Sequence, residues 1–524
     1  MRKIFGWYHK KDFSPLRVFT SVFIIVWLLS IAWSLATPLF GGPDEPAQVI
    51  KAAAVARGEF TGKLVGKSNS PFGQVLIPEY YATTRNIPAC FHRDPKQPAS
   101  CAPLPYGSKT PTYAFTYVDR YPPLYYFLVG LPSLLGDHRL ELYLMRFLSG
   151  FLASLFIATA VVTAVRYSRF PLVILGVILG ATPLLMFLTG VVNPAGLEAA
   201  AALSTWTSGI IIVKEYFSNP PKSLVLILAV SSITFEMVRG LSPFWLFLTG
   251  IILFLANSYH QMLQLLKSRH VQIAIGSIFI FAVVAVAWIF KYHTLNLYSR
   301  SKVSYTVKEG TILEIAFGRS MQFIHQIVGI FGWSGTDSPF ASYFIYIGLI
   351  SILVILAFIL GEKNDIYALS VLIFALLAVP TILSASQVHK IGFVWSGRDS
   401  LPLALGIPVM AAETIAMNYK KLFTAEQIGK FLGFSVLLVA LVRFVSYTES
   451  LRRNAVGTMG PDFDFLFHAS FNPPLGNLAL LLFEFVLLIT FIYLIHIFIT
   501  HYITKNNCMN KQLTTEKAQG RVRG

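Results

Sequence analysis

Apolar stretches of about twenty residues recur along nearly the whole chain, and no other feature of the sequence restricts its fold so strongly. Each is long enough to cross a hydrocarbon core of about 30 Å as a helix. In lipid, a spanning segment has to satisfy its own backbone hydrogen bonds, which favours helices. Hydrophobic residues make up 55% of the chain and charged residues only 13%, a balance that fits a polytopic membrane protein and excludes an ordinary soluble domain. The sequence therefore predicts an all-α integral membrane protein with about twelve transmembrane helices. They fall at 17–37, 140–165, 171–189, 194–213, 222–237, 240–256, 271–291, 342–360, 366–386, 398–416, 427–446 and 476–500.

Basic residues set the expected orientation. Arg2, Lys3, Lys10 and Lys11 precede the first span, which is long for a signal peptide and has no small-residue cleavage site after it. Residues 1–16 are thus expected to be cytoplasmic and the first helix to be retained. Segment 123–136 is too short to cross and is read as an interfacial helix within an external loop, 38–139. Ala47 to Glu59 in that loop is predicted as a helix, with Pro46 at its start and Gly58 near its end. This arrangement leaves a multi-span domain over 140–500 and puts Arg166, Arg169, Lys214, Lys267, Lys363, Lys420 and Lys421 inside. Residues 501–524 then form a cytoplasmic basic tail, read as disordered. The net charge of +17 is explained by these span ends and by lipid phosphates. No basic helix with interleaved aromatics points to nucleic acid.

The first external loop begins with Gly41-Gly42-Pro43-Asp44-Glu45-Pro46-Ala47-Gln48. Two prolines stiffen the backbone around adjacent carboxylates, and the glycines let the chain turn. Charge held beside the hydrocarbon core is costly, and its usual explanation is function. Asp44 and Glu45 are therefore the candidate catalytic residues. Other polar groups fall on the same expected face: Asp119 and Arg120, Tyr121, Asn193 and Glu198, Glu236 and Arg239, Asp337, and Arg398 with Asp399. Each has an ordinary structural explanation. Asn193-Pro194 starts a helix, Glu198 complements its dipole, Glu236 and Arg239 have ion-pair spacing, and Asp337 caps a turn. Taken together they predict one polar cavity open to the outside, lined by Gln48, Tyr121, Asn193, Glu198, Asp337 and Asp399. Arg398, at the start of a long span, is either a snorkelling arginine or a bidentate clamp for a phosphate. Cys90 and Cys101 share the first loop and are candidates for a disulfide in an oxidising compartment.

In this order the motifs Gly-Pro-Asp-Glu-Pro-Ala (42–47), Arg-Tyr-Pro-Pro-Leu-Tyr-Tyr (120–126), Val-Asn-Pro-Ala-Gly-Leu-Glu (192–198), Phe-Gly-Trp-Ser-Gly-Thr-Asp-Ser-Pro (331–339) and Ser-Gly-Arg-Asp-Ser-Leu-Pro (396–402) resemble a family of bacterial polytopic membrane proteins grouped with the GT-C glycosyltransferase superfamily. The chain departs from that family's pattern at Gln48, where it has His, and at Asp399, where it has Tyr. The resemblance implies a GT-C-like membrane glycosyltransferase of the bacterial cytoplasmic membrane. It would transfer a sugar from a polyprenyl-phosphate donor to a cell-envelope glycan, lipid or protein acceptor. The loop acid, Asp44, would be base or metal ligand. Arg398, with Arg120 or Arg239, would hold the donor phosphate. Asp44 with Glu45 could also hold Mg²⁺ or Mn²⁺, and the sequence leaves base and metal as alternatives. A polyprenyl phosphate leaves as a stable anion, so one carboxylate to receive the acceptor's proton is enough.

The competing readings are a transporter or flippase of a lipid-linked or anionic substrate, and a polysaccharide polymerase or ligase. Against the transporter, no matching pair of interrupted helices stands out in the two halves. The orientation has a direct test in a background without native cysteines. A cysteine at Ser108 is expected to react with an impermeant reagent from outside, and one at Ser218 only after permeabilisation. Opposite accessibility overturns the orientation.

Overall fold

A computed structural model of the chain describes residues 14–64, 72–136, 138–295, 309–333, 335–393 and 395–520. Arg2, Lys3, Lys10, Lys11, Ser334 and most of the expected N-terminal segment lie outside the described residues.

The helices in chain order are α1 (Pro15–Ala36), α2 (Glu45–Ala56), α3 (Leu124–Gly130), α4 (His138–Tyr167), α5 (Leu172–Gly180), α6 (Pro183–Thr189), α7 (Pro194–Glu215), α8 (Lys222–Glu236), α9 (Ser242–Leu255), α10 (Tyr259–Leu266), α11 (Arg269–Tyr292), α12 (Glu309–Gly329), α13 (Phe340–Leu360), α14 (Lys363–Ile391), α15 (Gly397–Ala404), α16 (Gly406–Asn418), α17 (Ala425–Val456) and α18 (Asn477–Gly520). Among the described residues nine helices are long and apolar enough to cross a membrane, or up to eleven if each of two bent pairs is one span. The pairs are α5 with α6, bent by 60°, and α9 with α10, bent by 117°. The protein is thus a mainly helical polytopic membrane protein. The expected count of twelve is not reached: α8 has only 15 residues, which extend about 22 Å, and α5–α6 and α9–α10 reach spanning length only as bent pairs.

The centre of the bundle is α7, whose 18-residue apolar window is wholly buried. Its Ala199 to Ala202 run and Gly196 let neighbours approach closely. A Cβ at Gly196 would lie 2.8 Å from the Leu188 carbonyl oxygen. The α5–α6 bend exposes backbone carbonyls inside the bundle, and each finds a donor. Arg443 of α17 donates to the carbonyls of Ile178 and Ala181, and Tyr346 Oη to that of Leu179 at 2.5 Å. Thr182 caps the new helix by accepting from Leu185 N at 3.1 Å.

Three elements depart from expectation. The tail expected to be disordered is helical as far as Gly520, the last span continuing into it as part of the 44-residue α18. The stretch left between the expected spans 271–291 and 342–360 contains the 21-residue helix α12. Its buried Ile312, Ala316, Phe323 and Ile327 lie on one stripe at helical spacing, an amphipathic pattern that a search for continuous apolar spans passes over. The first loop also carries an antiparallel sheet, β1 (Lys63–Leu64), β2 (Gly73–Pro78) and β3 (Pro111–Thr116), in the order β1-β2-β3. Val75 and Ile77 of β2 and Ala114 of β3 face Val49, Ile50, Ala53 and Tyr126 in a small core of their own.

This core is pinned by buried polar side chains. Lys51 of α2 donates to the backbone carbonyls of Phe60 and Asp119, and burial pushes its ammonium down to about 7. Arg57 reaches Ser133 Oγ at 2.8 Å. Cys90 and Cys101 are disulfide-bonded, and Arg453 of α17 holds that loop through the Phe91 carbonyl at 2.6 Å.

Candidate functional site

The two adjacent carboxylates, Asp44 and Glu45, point in different directions. Glu45 begins α2 and is 1% exposed. It accepts from Arg146 Nε at 2.7 Å and Nη2 at 2.6 Å, and from the backbone amides of Val192 at 3.0 Å and Gly42 at 3.1 Å. The Arg146 guanidinium, 1% exposed, also donates to the carbonyls of Ser34 at 2.9 Å, Thr37 at 2.7 Å and Pro38 at 2.7 Å. Those three carbonyls are at the end of α1, where a helix leaves acceptors unpaired. One arginine on α4 therefore ties together the end of the first span, the start of α2 and the turn before α7. Gly42 is required where this loop passes the turn between α6 and α7: a Cβ there would sit 2.8 Å from Val191 Cβ.

Asp44 is the N-cap residue of α2 yet does not cap it. It has a left-handed backbone, φ +60°, which Asp tolerates better than most residues. Its side chain turns into the cavity, accepting from Tyr117 Oη at 2.6 Å and from Arg398 Nη2. Partial burial and the Asp44 carboxylate both push the Tyr117 phenol up, so Tyr117 is a donor there. Arg398 and Asp44 keep 24% of their side-chain surface open.

Around them lies a cavity of about 300 Å³ lined by both charged and apolar residues. Its lining includes Asp44, Arg398, Arg239 and Asp399, the polar Gln48, Tyr121 and Asn193, and the apolar Leu241, Leu295 and Leu383. Arg239 bridges Glu198 at 2.8 Å and Asp399 at 2.7 Å. Glu198 is fully buried behind it and also accepts from Ser242 Oγ at 2.6 Å. The second oxygen of Asp399 caps α15 by accepting from Ser396 N at 3.1 Å and Oγ at 3.0 Å. Gln48 accepts from Tyr126 Oη at 2.5 Å, and Asn193 donates to the Pro43 carbonyl at 2.9 Å. Burial holds the Tyr121 phenol above its ordinary value.

A model of the predicted membrane protein family DUF2142 matches residues 27–407. The chain belongs to this family. No curated protein matches it. The DUF2142 match takes in every cavity residue named above, from Asp44 to Asp399.

Within this DUF2142 protein the candidates divide. Asp44, Gln48, Tyr121, Asn193, Arg239, Arg398 and Asp399 share one cavity, and Glu198 braces Arg239 from behind. Five expected members are elsewhere, Asp119 and Glu236 among them: Glu236 is buried at the end of α8 outside the lining, and Arg239 pairs with Glu198 and Asp399 instead of with it. Glu45 is spent on Arg146. Arg120 pairs with Asp119 at 3.8 Å and is not among the lining residues. Asp337 is exposed on a two-residue strand paired with Ile330–Phe331. The paired-carboxylate metal site also does not form, because Glu45 is saturated and faces away from Asp44. Among the described residues no three His, Cys, Asp or Glu side chains gather as a ligand set. Arg146 went unnoticed in the sequence. Its signal was there: an arginine inside the apolar stretch 140–165 needs a buried partner.

The division has a stability test. Removing one partner of a buried ion pair costs about 3–5 kcal/mol. Glu45→Gln is expected to lower the unfolding free energy of the detergent-solubilised protein by that order, read from its denaturation curve, and Asp44→Asn much less. Equal losses for the two would contradict the separation of roles.

Proposed function

We propose that the protein is a membrane glycosyltransferase of GT-C type. It would move a sugar from a polyprenyl-phosphate donor to a cell-envelope glycan, lipid or protein acceptor on the outer face of a bacterial cytoplasmic membrane, with both termini in the cytoplasm. One observation supports this reading: Asp44 and two arginines, Arg398 and Arg239, line the same cavity as Leu241, Leu295 and Leu383. An amphipathic lipid phosphate has that same division of character.

Arg398 is paired with Asp44 in the structure. A donor phosphodiester, as a competing anion, would take the Arg398 fork and leave Asp44 free beside the anomeric carbon. Arg239, held by Glu198 and Asp399, would remain rigid and add positive charge where the leaving phosphate develops its own. The acceptor oxygen bonds to the anomeric carbon as the bond from that carbon to the phosphate oxygen breaks. The acceptor proton passes to Asp44, and the electron pair leaves with the polyprenyl phosphate. An aspartate is a weak base at neutral pH, so its help comes mainly in the transition state and through orienting the acceptor hydroxyl. Glu45 has no chemical step; it fixes the loop that presents Asp44. The donor set does not fit Mg²⁺ or Mn²⁺, and no step uses a metal.

The α5–α6 break bears on the transporter alternative. Discontinuous helices in transporters offer free backbone groups to the substrate; here those carbonyls are occupied by Arg443 and Tyr346.

The test is sugar transfer from synthetic polyprenyl-phosphate sugars by the protein in nanodiscs. Asp44→Asn is expected to slow transfer about a hundredfold to ten-thousandfold while binding of polyprenyl phosphate holds or tightens. Arg398→Ala loses donor binding as well as turnover, and Arg398→Lys recovers only part, since a point charge replaces a fork. Near-normal transfer by Asp44→Asn rejects the base assignment. A wild-type protein that carries the lipid across the bilayer without cleaving the sugar–phosphate bond establishes the transporter.

A further inference from the structure

Strand β3 and Tyr117, the residue just past its end, leave a row of aromatic rings on the face of the small sheet that turns away from its core. Tyr113 is 59% exposed, Phe115 39% and Tyr117 37%, while Ala114 and Thr116 between them are buried. Side chains on one face of a strand repeat about every 7 Å, so the three rings form a ladder. Neighbours extend it: Leu76 pairs across from Tyr113 and Gln74 from Phe115, and the Phe72 ring meets that of Tyr117 at 6.2 Å between centroids. Contiguous apolar surface of this kind commonly marks a binding site. The inner end of the ladder is Tyr117, whose hydroxyl is bonded to Asp44. The row thus runs from the surface of the loop domain to the carboxylate of the cavity.

We infer that this ladder is an acceptor track that binds a carbohydrate chain, and that the acceptor is accordingly a glycan and not a lipid or a protein. Continuity with the cavity selects this occupant: a molecule lying on Tyr113 and Phe115 ends at Tyr117, with its terminal hydroxyl at Asp44. The chemistry suits a sugar. Pyranose rings present faces of C–H bonds that pack on aromatic rings, and their hydroxyls need polar partners at the edges. The Tyr113 hydroxyl and the Gln74 amide lie in the row to supply them. The inference rests on the glycosyl-transfer reading and narrows its acceptor.

The test uses the full-length protein in nanodiscs and two probes: fluorescently tagged oligosaccharides released by mild acid from the envelope of the source cells, and polyprenyl phosphate. Tyr113→Ser and Phe115→Ser are exposed changes away from Asp44. Each is expected to weaken oligosaccharide binding about tenfold, the order of one aromatic contact, and to leave polyprenyl phosphate binding unchanged. Phe115→Trp is expected to retain oligosaccharide binding. Oligosaccharide binding that ignores both serine variants overturns the track, while intact polyprenyl phosphate binding keeps the donor site. A wild-type protein that binds neither probe overturns the glycosyl-transfer reading itself. A photoreactive p-benzoylphenylalanine at position 115 separates the remaining occupant. An oligosaccharide adduct supports the track, and a phospholipid adduct reassigns the row to membrane contact.

Discussion

The guanidinium of Arg146 holds the site together. It sits inside a spanning helix, where an unpaired charge would be intolerable, and each of its N–H groups has an acceptor: Glu45 through two bonds and the carbonyls of Ser34, Thr37 and Pro38. The pair with Glu45 is not best understood as a source of net stability, since desolvation offsets most of its attraction. Its effect is geometric. The arrangement has one low-energy form, in which α1 ends, the Gly-Pro turn begins and α2 starts at fixed positions. The residue before the anchored Glu45 has a left-handed backbone, and its side chain turns into the cavity.

From that fixed point the cavity is assembled by elements distant in sequence. Asp44 meets Arg398 across 354 positions and Arg239 meets Asp399 across 160. The two pairs differ in kind. Arg239 is held by two carboxylates, one of them fully buried, so it is a fixed charge. Arg398 has Asp44 as its bonded carboxylate, and both remain partly open. An incoming anion can exchange for Asp44 without leaving a buried charge unpaired. On the proposed reading that exchange couples donor binding to release of the base.

Most of the bundle was legible because lipid imposes a simple rule: a backbone crossing it must be a helix of about twenty apolar residues. The twelve apolar stretches are largely helical, and the count falls short at the 15-residue α8 and wherever a bent pair is not a single span. The start of α2 was legible from Pro46 and its end from Gly58, whose φ is +88°. What failed was information that is not local. The strands of the loop domain pair Gly73–Pro78 with residues more than thirty positions on, and their alternation was hidden in a Pro- and Tyr-rich stretch. Amphipathic α12 has no continuous apolar run. Asp44, Arg398 and Asp399 were found because their motifs are compact. Glu45 was misread because adjacency in sequence does not mean a shared direction: with Asp44 left-handed, its neighbour turns the opposite way. Arg120 and Asp337 were grouped with the site by expected side of the membrane, a coarser criterion than contact.

The most direct measurement of the central claim is a cryo-electron microscopy reconstruction of the protein in nanodiscs with polyprenyl phosphate bound. The account predicts phosphate density between Arg398 and Arg239, the chain running along Leu241, Leu295 and Leu383, and Asp44 detached from Arg398. Phosphate density elsewhere, with the Asp44–Arg398 pair intact, would contradict it.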